Sequence, residues 1–307
     1  PAFTPARAEE ARPVVREIIG EILDRVAPRG HCDVATEISG ELPIRVLCRL
    51  IGVSEADVSR FAAWTHMIGA GMDMNLLEVI DGLNEAIAGL CDYVEEIIRD
   101  RRSNPVRPPD LVQTMIDATE GGDRLTIEEV RDQVVLLLGA GYDTTSTQIS
   151  WSVLTYLDHP TEWKRLAEEP ERAAAAVEEL LRFSPAIGLT ARFTTDDVEY
   201  NGILIPAGSF LLMGVPSAGR DPAAFAAADE FRIDRSDGMS HLTFGVGAHY
   251  CVGAHLARVE LQEVLPALAR RLVDPRRAGQ VEIGNPLGVW DVKSLPIEYT
   301  PEVTAPS

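Results

Sequence analysis

The chain has 307 residues, of which 46% are hydrophobic and 25% charged, and its formal net charge is −20. This acidity argues against a nucleic-acid partner, which normally presents a basic surface. The sequence has no apolar run long enough to span a bilayer, and it lacks the basic-then-apolar order of a signal peptide. Its four cysteines are widely spaced in a long chain, which excludes a small disulfide-stapled domain. We therefore expect a cytoplasmic protein without a membrane partner.

Amphipathic segments fill the first third of the chain. Residues 5–27 and 33–51 carry apolar side chains at helical spacing, and a bend is expected near Pro43 in the second segment. Ser54 is placed to cap a third helix that runs towards Gly71, and a long amphipathic helix is predicted from Asn75 to Asp100. The Pro-rich stretch RRSNPVRPP ends that helix. Because the helical pattern resumes at once, we interpret this stretch as a surface loop and not as a domain linker.

A very long helix is predicted at the centre of the sequence. Thr126 and Glu129 have the spacing of a capping box, and the helical pattern then continues to Pro160. The middle of this segment is apolar nearly all round, which is typical of a helix buried at the core of a fold. Two short helices are predicted within residues 161–183.

The periodicity changes after these helices. The stretch TARFTTDDVEYNGILIPAGSFLLMGV alternates apolar and polar residues and contains Asn201-Gly202, a strong hairpin signal. Residues 218–250 are irregular, a plain helix follows, and the end of the chain has short strand-like runs. The fold class predicted is mainly α with small β-sheets, an α+β arrangement around the long central helix. We expect one domain over residues 1–307, with a helical part at about 5–183 and a mixed strand-and-loop part at about 184–307.

The loop FGVGAHYCVG, residues 244–253, presents a cysteine just before a predicted helix. The N–H groups of a helix N-terminus favour a thiolate at Cys251. Gly245 and Gly247 permit turns that other residues cannot make, and they let backbone amides approach the sulfur. A fixed thiolate serves covalent catalysis or the ligation of a soft metal. The loop alone fits equally well an incidental buried cysteine at the start of a helix.

The long helix carries AGYDTT at residues 140–145. Gly141 weakens a helix by roughly 1 kcal/mol relative to alanine, and the hydroxyl of Thr144 can bond back to the carbonyl of Ala140. Asp143, in a mostly apolar stretch, must be paired, solvated or functional. We expect a local opening of the helix that forms a groove at the centre of the fold. The alternative is a kink that holds a satisfied polar pair.

Glu179 and Arg182, in the stretch EELLR, are three residues apart on one predicted helix face and can form an ion pair. Such a pair is usually solvated at the surface. It gains structural meaning only where it is buried with a second arginine.

Taken in order, these motifs resemble those of the cytochrome P450 superfamily. FGVGAHYCVG matches every fixed position of that family's haem-binding loop, Phe-Gly-x-Gly-x-His-x-Cys-x-Gly, and AGYDTT resembles its oxygen-activation motif. Glu179 and Arg182 match its Glu-x-x-Arg pair, and FRIDR at 231–235 resembles its meander. AGRDP is also similar, although Gly219 stands where the family more often has Asn. The resemblance covers essentially the whole chain and is closest to soluble bacterial members.

The resemblance implies haem b, Fe-protoporphyrin IX, with Cys251 as the axial ligand of the iron. Asp143 and Thr144 would handle the protons needed to activate dioxygen, and His249 and Arg192 would hold the haem propionates. The other cofactor contacts that it implies are Phe244, Gly245 and Ala140. The buried network that supports the haem loop would be Glu179, Arg182 and Arg235. The substrate pocket would be lined by Leu138, Gly139, Ile187, Leu189 and Val289.

The activity implied is that of a haem-thiolate monooxygenase, which inserts one oxygen atom from dioxygen into a small apolar organic substrate. Electrons would come from NAD(P)H through a ferredoxin reductase and a ferredoxin. Family members have further strands and helices before the point where this sequence starts, so we expect a chain without the N-terminal segment. That expectation motivates a second hypothesis, a haem-binding remnant that acts as a binder or sensor without turnover. A third hypothesis is an enzyme with a cysteine nucleophile.

Overall fold

The computed structural model describes residues 4–70, 76–119, 125–236, 240–284 and 288–302. The α-helices in this part of the chain are α1 Pro5–Val26, α2 Leu42–Ile51, α3 Val58–Ala70, α4 Leu76–Ser103, α5 Leu111–Thr119, α6 Ile127–Asp158, α7 Pro160–Glu168, α8 Ala173–Phe183, α9 Val215–Gly219 and α10 Ala254–Arg271. The strands are β1 His31–Asp33, β2 Leu189–Phe193, β3 Val198–Tyr200, β4 Ile203–Ile205, β5 Phe210–Gly214, β6 Val273–Arg277, β7 Glu282–Ile283, β8 Val292–Ser294 and β9 Pro296–Thr300. The predicted class, mainly α with small β-sheets, is confirmed.

The strands form small antiparallel sheets. β1, β9 and β6 make a three-stranded sheet, and β2–β5, β3–β4 and β7–β8 are two-stranded. The hairpin predicted at Asn201-Gly202 joins β3 to β4, and both turn residues have positive φ angles, 50° and 77°. Because β1 pairs with β9, the sheet connects the first helices to the end of the described chain.

Residues 33–51 are helical from Val34 on and are interrupted just before Pro43, as predicted, but the preceding strand β1 was not predicted. The strand β1 ends at Asp33, a π-helical turn covers Ala35–Ser39, and only then does α2 begin. A three-residue strand is too short to show a period of two, so β1 cannot be recognised from the sequence pattern. Pro43 lies in the first turn of α2, where its missing N–H leaves no hydrogen bond unmade.

Helix α6 is the long central helix that the sequence predicts, with a length of about 48 Å. Its capping box is present: Glu129 N–H donates to Thr126 Oγ1 at 3.2 Å, and Thr126 N–H donates to Glu129 Oε2 at 2.6 Å. The backbone stays α-helical through residues 140–145, so the expected local opening is not found. The predicted helix ends at Gly71 and Asn75 lie outside the described residues.

Helix α6 joins two apolar cores. Its second half, with Ile149 and Val153, packs with α1, α7, α8 and α10 in the first core. Its first half, with Val130 and Val134, packs with α2, α3, α4 and α5 in the second core. No helix within the described ranges is both long and apolar enough to cross a membrane.

Candidate functional site

The Cys251 loop has a fixed backbone geometry. Cys251 N–H donates to the carbonyl oxygen of Phe244 at 2.9 Å, which closes the loop. Gly245 and Gly247 have φ angles of 71° and 73°, in the left-handed region where a side chain is strained. Helix α10 begins at Ala254, three residues after the cysteine, as predicted. The loop therefore presents one thiol at the N-terminus of a helix.

The electrostatic balance at the Cys251 sulfur differs from the sequence-based expectation. Cys251 is a free, exposed cysteine. Desolvation of its sulfur raises the pKa of the thiol, while backbone N–H groups of Gly253 and Ala254 and the charge of Arg258 act in the opposite direction. The backbone N–H groups at the start of α10 thus favour a thiolate, as predicted, but desolvation is the larger effect and raises the pKa of the thiol. A cation bound at this sulfur would favour its deprotonated form.

A charged cluster supports the loop from α8. Glu178 accepts hydrogen bonds from Arg258 Nε at 2.6 Å and from His241 Nε2 at 3.2 Å. The Arg258 guanidinium lies 4.5 Å from the centroid of the Phe244 ring, and the His241 ring centroid lies 5.8 Å from it. Desolvation raises the pKa of Glu178, but the hydrogen bonds from His241 and Arg258 outweigh it and lower the pKa to about 2. The cluster thus fixes the aromatic residue that opens the loop.

The predicted Glu–Arg pair is buried and includes the second arginine. Glu179 accepts hydrogen bonds from Arg182 Nε at 2.7 Å, from Arg235 Nε at 2.9 Å and from Arg232 N–H at 2.9 Å. The side chains of Glu179 and Arg182 are 1% and 2% exposed. Arg182 and Arg235 also donate to the carbonyl oxygen of Glu230. The network therefore connects α8 to the irregular segment that precedes the Cys251 loop.

Glycine is required at position 219, where the resembled family more often has Asn, for a steric reason. A Cβ built at this position would lie 2.2 Å from the backbone carbonyl oxygen of Arg182. The guanidinium of Arg182 donates to the carbonyl oxygen of Gly219 at 2.6 Å. The close approach of the two backbones therefore requires glycine here.

One face of α6 is open along the predicted motif. Leu136 is 57% exposed, Ala140 is exposed and Thr144 is half-buried. Successive members of this set are four residues apart, so they lie on the same side of the helix. The hydroxyl of Thr144 donates to the carbonyl oxygen of Ala140 at 2.8 Å, as the sequence predicts.

Two residues expected in the substrate pocket do not reach this face. Leu138 is fully buried in the second core, because it lies about half a turn away from Leu136 and Ala140. Gly139 is also buried, and a Cβ built on it would lie 3.0 Å from Ile68 Cγ2 in α3. The structure therefore does not bring Leu138 and Gly139 to the open face of α6, and their place in the substrate pocket stays a prediction. Leu136, which is not among the predicted pocket residues, lies on the open face instead.

The other expected pocket residues are brought together. Ile187 and Val289 pair through an isolated antiparallel bridge, and Leu189 begins β2 opposite Gly214. All three are half-buried. Helix α6 holds both segments: Gln148 Nε2 donates to Ser184 O at 3.0 Å. Trp151 Nε1 donates to Trp290 O at 2.6 Å.

The sequence model described as cytochrome P450 matches residues 58–272, which is more than half of the chain. This chain belongs to the cytochrome P450 family. Because its curated relatives are named hydroxylases and monooxygenases, this P450 is an oxidoreductase of the monooxygenase type.

Particular relatives show the extent of the similarity. Mycinamicin IV hydroxylase/epoxidase of Micromonospora griseorubida is 38% identical over 274 residues, which cover 88% of this P450 and 67% of the relative. Luteothin monooxygenase of Streptomyces thioluteus is 34% identical over 302 residues, which cover 97% and 73%. The solved structure of P450BioI with an acyl carrier protein ligated to hexadec-9Z-enoic acid has a TM-score of 0.89 at 31% identity, covering 97% of this chain and 77% of that one. This P450 thus spans about two thirds to three quarters of the length of these proteins.

The family implies haem, and the Cys251 loop fits it. Among the described residues, no group of three or more His, Cys, Asp or Glu side chains could hold a metal ion. A metal bound by Cys251 must therefore bring most of its other ligands, as the iron of a porphyrin does. Val246 and Val252 on the loop are 66% and 57% exposed, and nothing lies within 4 Å of a Cβ built on Gly247. An open apolar surface around one soft ligand suits a flat apolar ring.

The two residues expected to hold propionates lie at the surface of this P450. Arg192 is exposed on β2, and its Nη1 donates to Ala191 O at 2.7 Å and to Thr190 Oγ1 at 3.2 Å. His249 is exposed at the end of a short 3₁₀ turn, two residues before Cys251. Their role towards the propionates stays a prediction.

Proposed function

We propose that this P450 inserts one oxygen atom from dioxygen into a small apolar organic substrate. The electrons come from NAD(P)H through a ferredoxin reductase and a ferredoxin. The observation that carries the proposal is the combination of two built features: a single thiol held at the start of α10, and an open face of α6 that carries Ala140 and Thr144. Names such as hydroxylase/epoxidase and monooxygenase among the relatives support the same reaction class.

Cys251 would hold the iron of a bound haem through its thiolate. The haem would supply the iron centre for oxygen chemistry. The backbone bond from Cys251 to Phe244 fixes the loop before any cofactor binds. The guanidinium of Arg192 suits a propionate because its planar fork matches a carboxylate, and His249 provides a second donor.

Asp143 and Thr144 hold and move protons on the α6 face. The Thr144 hydroxyl already donates to Ala140 O, so its oxygen keeps lone pairs with which to accept a proton or a water hydrogen bond. Asp143 is half-buried and adjacent in sequence, and its carboxyl group can exchange protons with solvent. The half-buried side chains of Ile187, Leu189 and Val289 would supply an apolar wall of the substrate pocket.

Isotope incorporation tests the proposal. The haem-loaded protein is supplied with redox partners, NAD(P)H, ¹⁸O₂ and a panel of apolar substrates. We expect a product that carries one ¹⁸O atom, and we expect Cys251→Ser to abolish its formation. Cys91→Ser in α4 is the matched control and keeps activity. A product labelled from water, or turnover that survives Cys251→Ser, contradicts the monooxygenase assignment. Haem binding without any product from the panel would favour the alternative, a binder or sensor without turnover.

A further inference from the structure

Helix α3 packs directly onto the motif of α6. A Cβ built on Gly69 of α3 would lie 1.5 Å from Asp143 Oδ2 and 2.7 Å from Asp143 Cγ. The preceding residue, Ile68, makes the neighbouring contact with Gly139. Both contacts belong to the same helix crossing, so the carboxylate of Asp143 lies against the backbone of α3 at the one position that lacks a side chain.

The glycine at position 69 is not explained by its own backbone. Its φ angle lies outside the left-handed region in which glycine is favoured. Within a helix, glycine is less stable than alanine because it loses more conformational freedom on folding. The space that a methyl group would occupy is instead filled by the side-chain oxygen of Asp143. Gly69 therefore lowers the intrinsic stability of α3, but it makes room for the carboxylate of Asp143.

The effect of replacing a glycine by alanine depends on which atom the new Cβ would meet. At Gly219 the obstructing atom is a backbone oxygen, so the fold itself would have to shift. At Gly69 the obstructing atom is the end of a side chain, which can rotate away. An alanine at 69 would therefore leave the helices in place and force the carboxylate of Asp143 into another rotamer.

We propose that Gly69 is a positioning residue for Asp143. It acts through Asp143, by leaving room for one orientation of the carboxylate. The inference rests on the proposed function, in which Asp143 handles a proton. Since a proton donor works only from a defined position, a rotated carboxyl group should transfer protons more slowly.

A double-mutant cycle on oxygen consumption tests the role. NAD(P)H-dependent oxygen consumption by the haem-loaded protein with redox partners is followed against pH, which does not require the natural substrate. We expect Gly69→Ala to slow oxygen consumption by about 10-fold, which is a part of the roughly 10²–10⁴-fold that general acid–base catalysis contributes. We also expect it to shift the pH profile of consumption towards that of Asp143→Ala. In the Asp143→Ala background, Gly69→Ala should add no further loss. Equal losses in both backgrounds, or an unchanged profile, overturn the proposal.

Thermal unfolding of the same four proteins tests the contact without turnover. We expect Gly69→Ala to lower Tm in the wild-type background, and to leave it unchanged or raise it in the Asp143→Ala background. The control is Gly20→Ala in α1, where nothing lies within 4 Å of the built Cβ; it should give the same shift in both backgrounds. Additive Tm shifts for Gly69→Ala refute the contact. Loss of the thiolate-type haem spectrum in the wild type instead refutes the proposed function, so the two failures are distinguishable.

Discussion

Glu260 makes the stability of this P450 fall as pH rises. It lies in α10, nine residues after Cys251, and is 2% exposed. Its Oε2 has no hydrogen-bond partner within the described part of the chain. Burial raises the pKa of this carboxyl from 4.5 to about 8. The folded protein therefore keeps a neutral acid at position 260, whereas the unfolded chain ionises it near the ordinary value.

The sign and size of the effect of Glu260 on stability follow from proton linkage. Between the two pKa values the folded state binds one more proton than the unfolded state, so the free energy of unfolding decreases as pH increases. Each pH unit costs about 1.4 kcal/mol. Over the interval from 4.5 to about 8 the Glu260 carboxyl removes about 5 kcal/mol of stability. Above that interval the loss is complete and the contribution becomes constant.

Urea unfolding across this pH range measures the effect. Glu260→Gln keeps the shape of the side chain but cannot ionise, so the difference in stability between variant and wild type should increase steadily from about pH 5 to about pH 8 in favour of the variant. Glu263→Gln is the control one turn away. Hydrogen bonds from Arg16 and Arg12 outweigh desolvation and lower the pKa of Glu263, so its contribution is lost as pH falls. A pH dependence that Glu260→Gln leaves unchanged would refute the reasoning.

Three further outcomes are expected. Glu179→Gln should lose about 3–5 kcal/mol of stability in urea unfolding, because it leaves buried arginine charge uncompensated; a loss under about 1 kcal/mol would contradict a buried network. Gly219→Ala should lower Tm while Gly20→Ala does not, because only the first places a Cβ against a backbone oxygen, at 2.2 Å; equal shifts would contradict this. Thr144→Ala should release peroxide and lower the product formed per NAD(P)H, and an unchanged yield would count against its proton role.

Features set by local sequence were predictable. Helices α1 and α6 follow from apolar spacing and, for α6, from a capping box, and the β3–β4 hairpin follows from Asn201-Gly202. These signals act within a few residues, so no tertiary contact is needed to recognise them. The strand β1 was missed because three residues give no period, and its partner β9 lies more than 260 positions away.

The candidate site shows more clearly which features cannot be predicted from the sequence. The family resemblance implies Leu138 in the pocket, whereas in the structure Leu138 is buried in the core and Leu136 lies on the exposed side of α6. The Glu178 cluster was missed because its hydrogen-bond partners lie 63 and 80 residues away. The pKa-raising desolvation of the Cys251 sulfur was also not predictable, since a helix N-terminus is visible in the sequence but the burial of a sulfur atom is not.

The central claim, that Cys251 ligates haem iron as a thiolate, is tested most directly by the spectrum of the reduced carbon-monoxide complex. The haem-loaded wild type should show the red-shifted Soret band of thiolate-ligated haem, and so should Cys91→Ser. Cys251→Ser should lose that band. A wild-type spectrum without the band, or a Cys251→Ser spectrum that retains it, would contradict the assignment of Cys251 as the iron ligand.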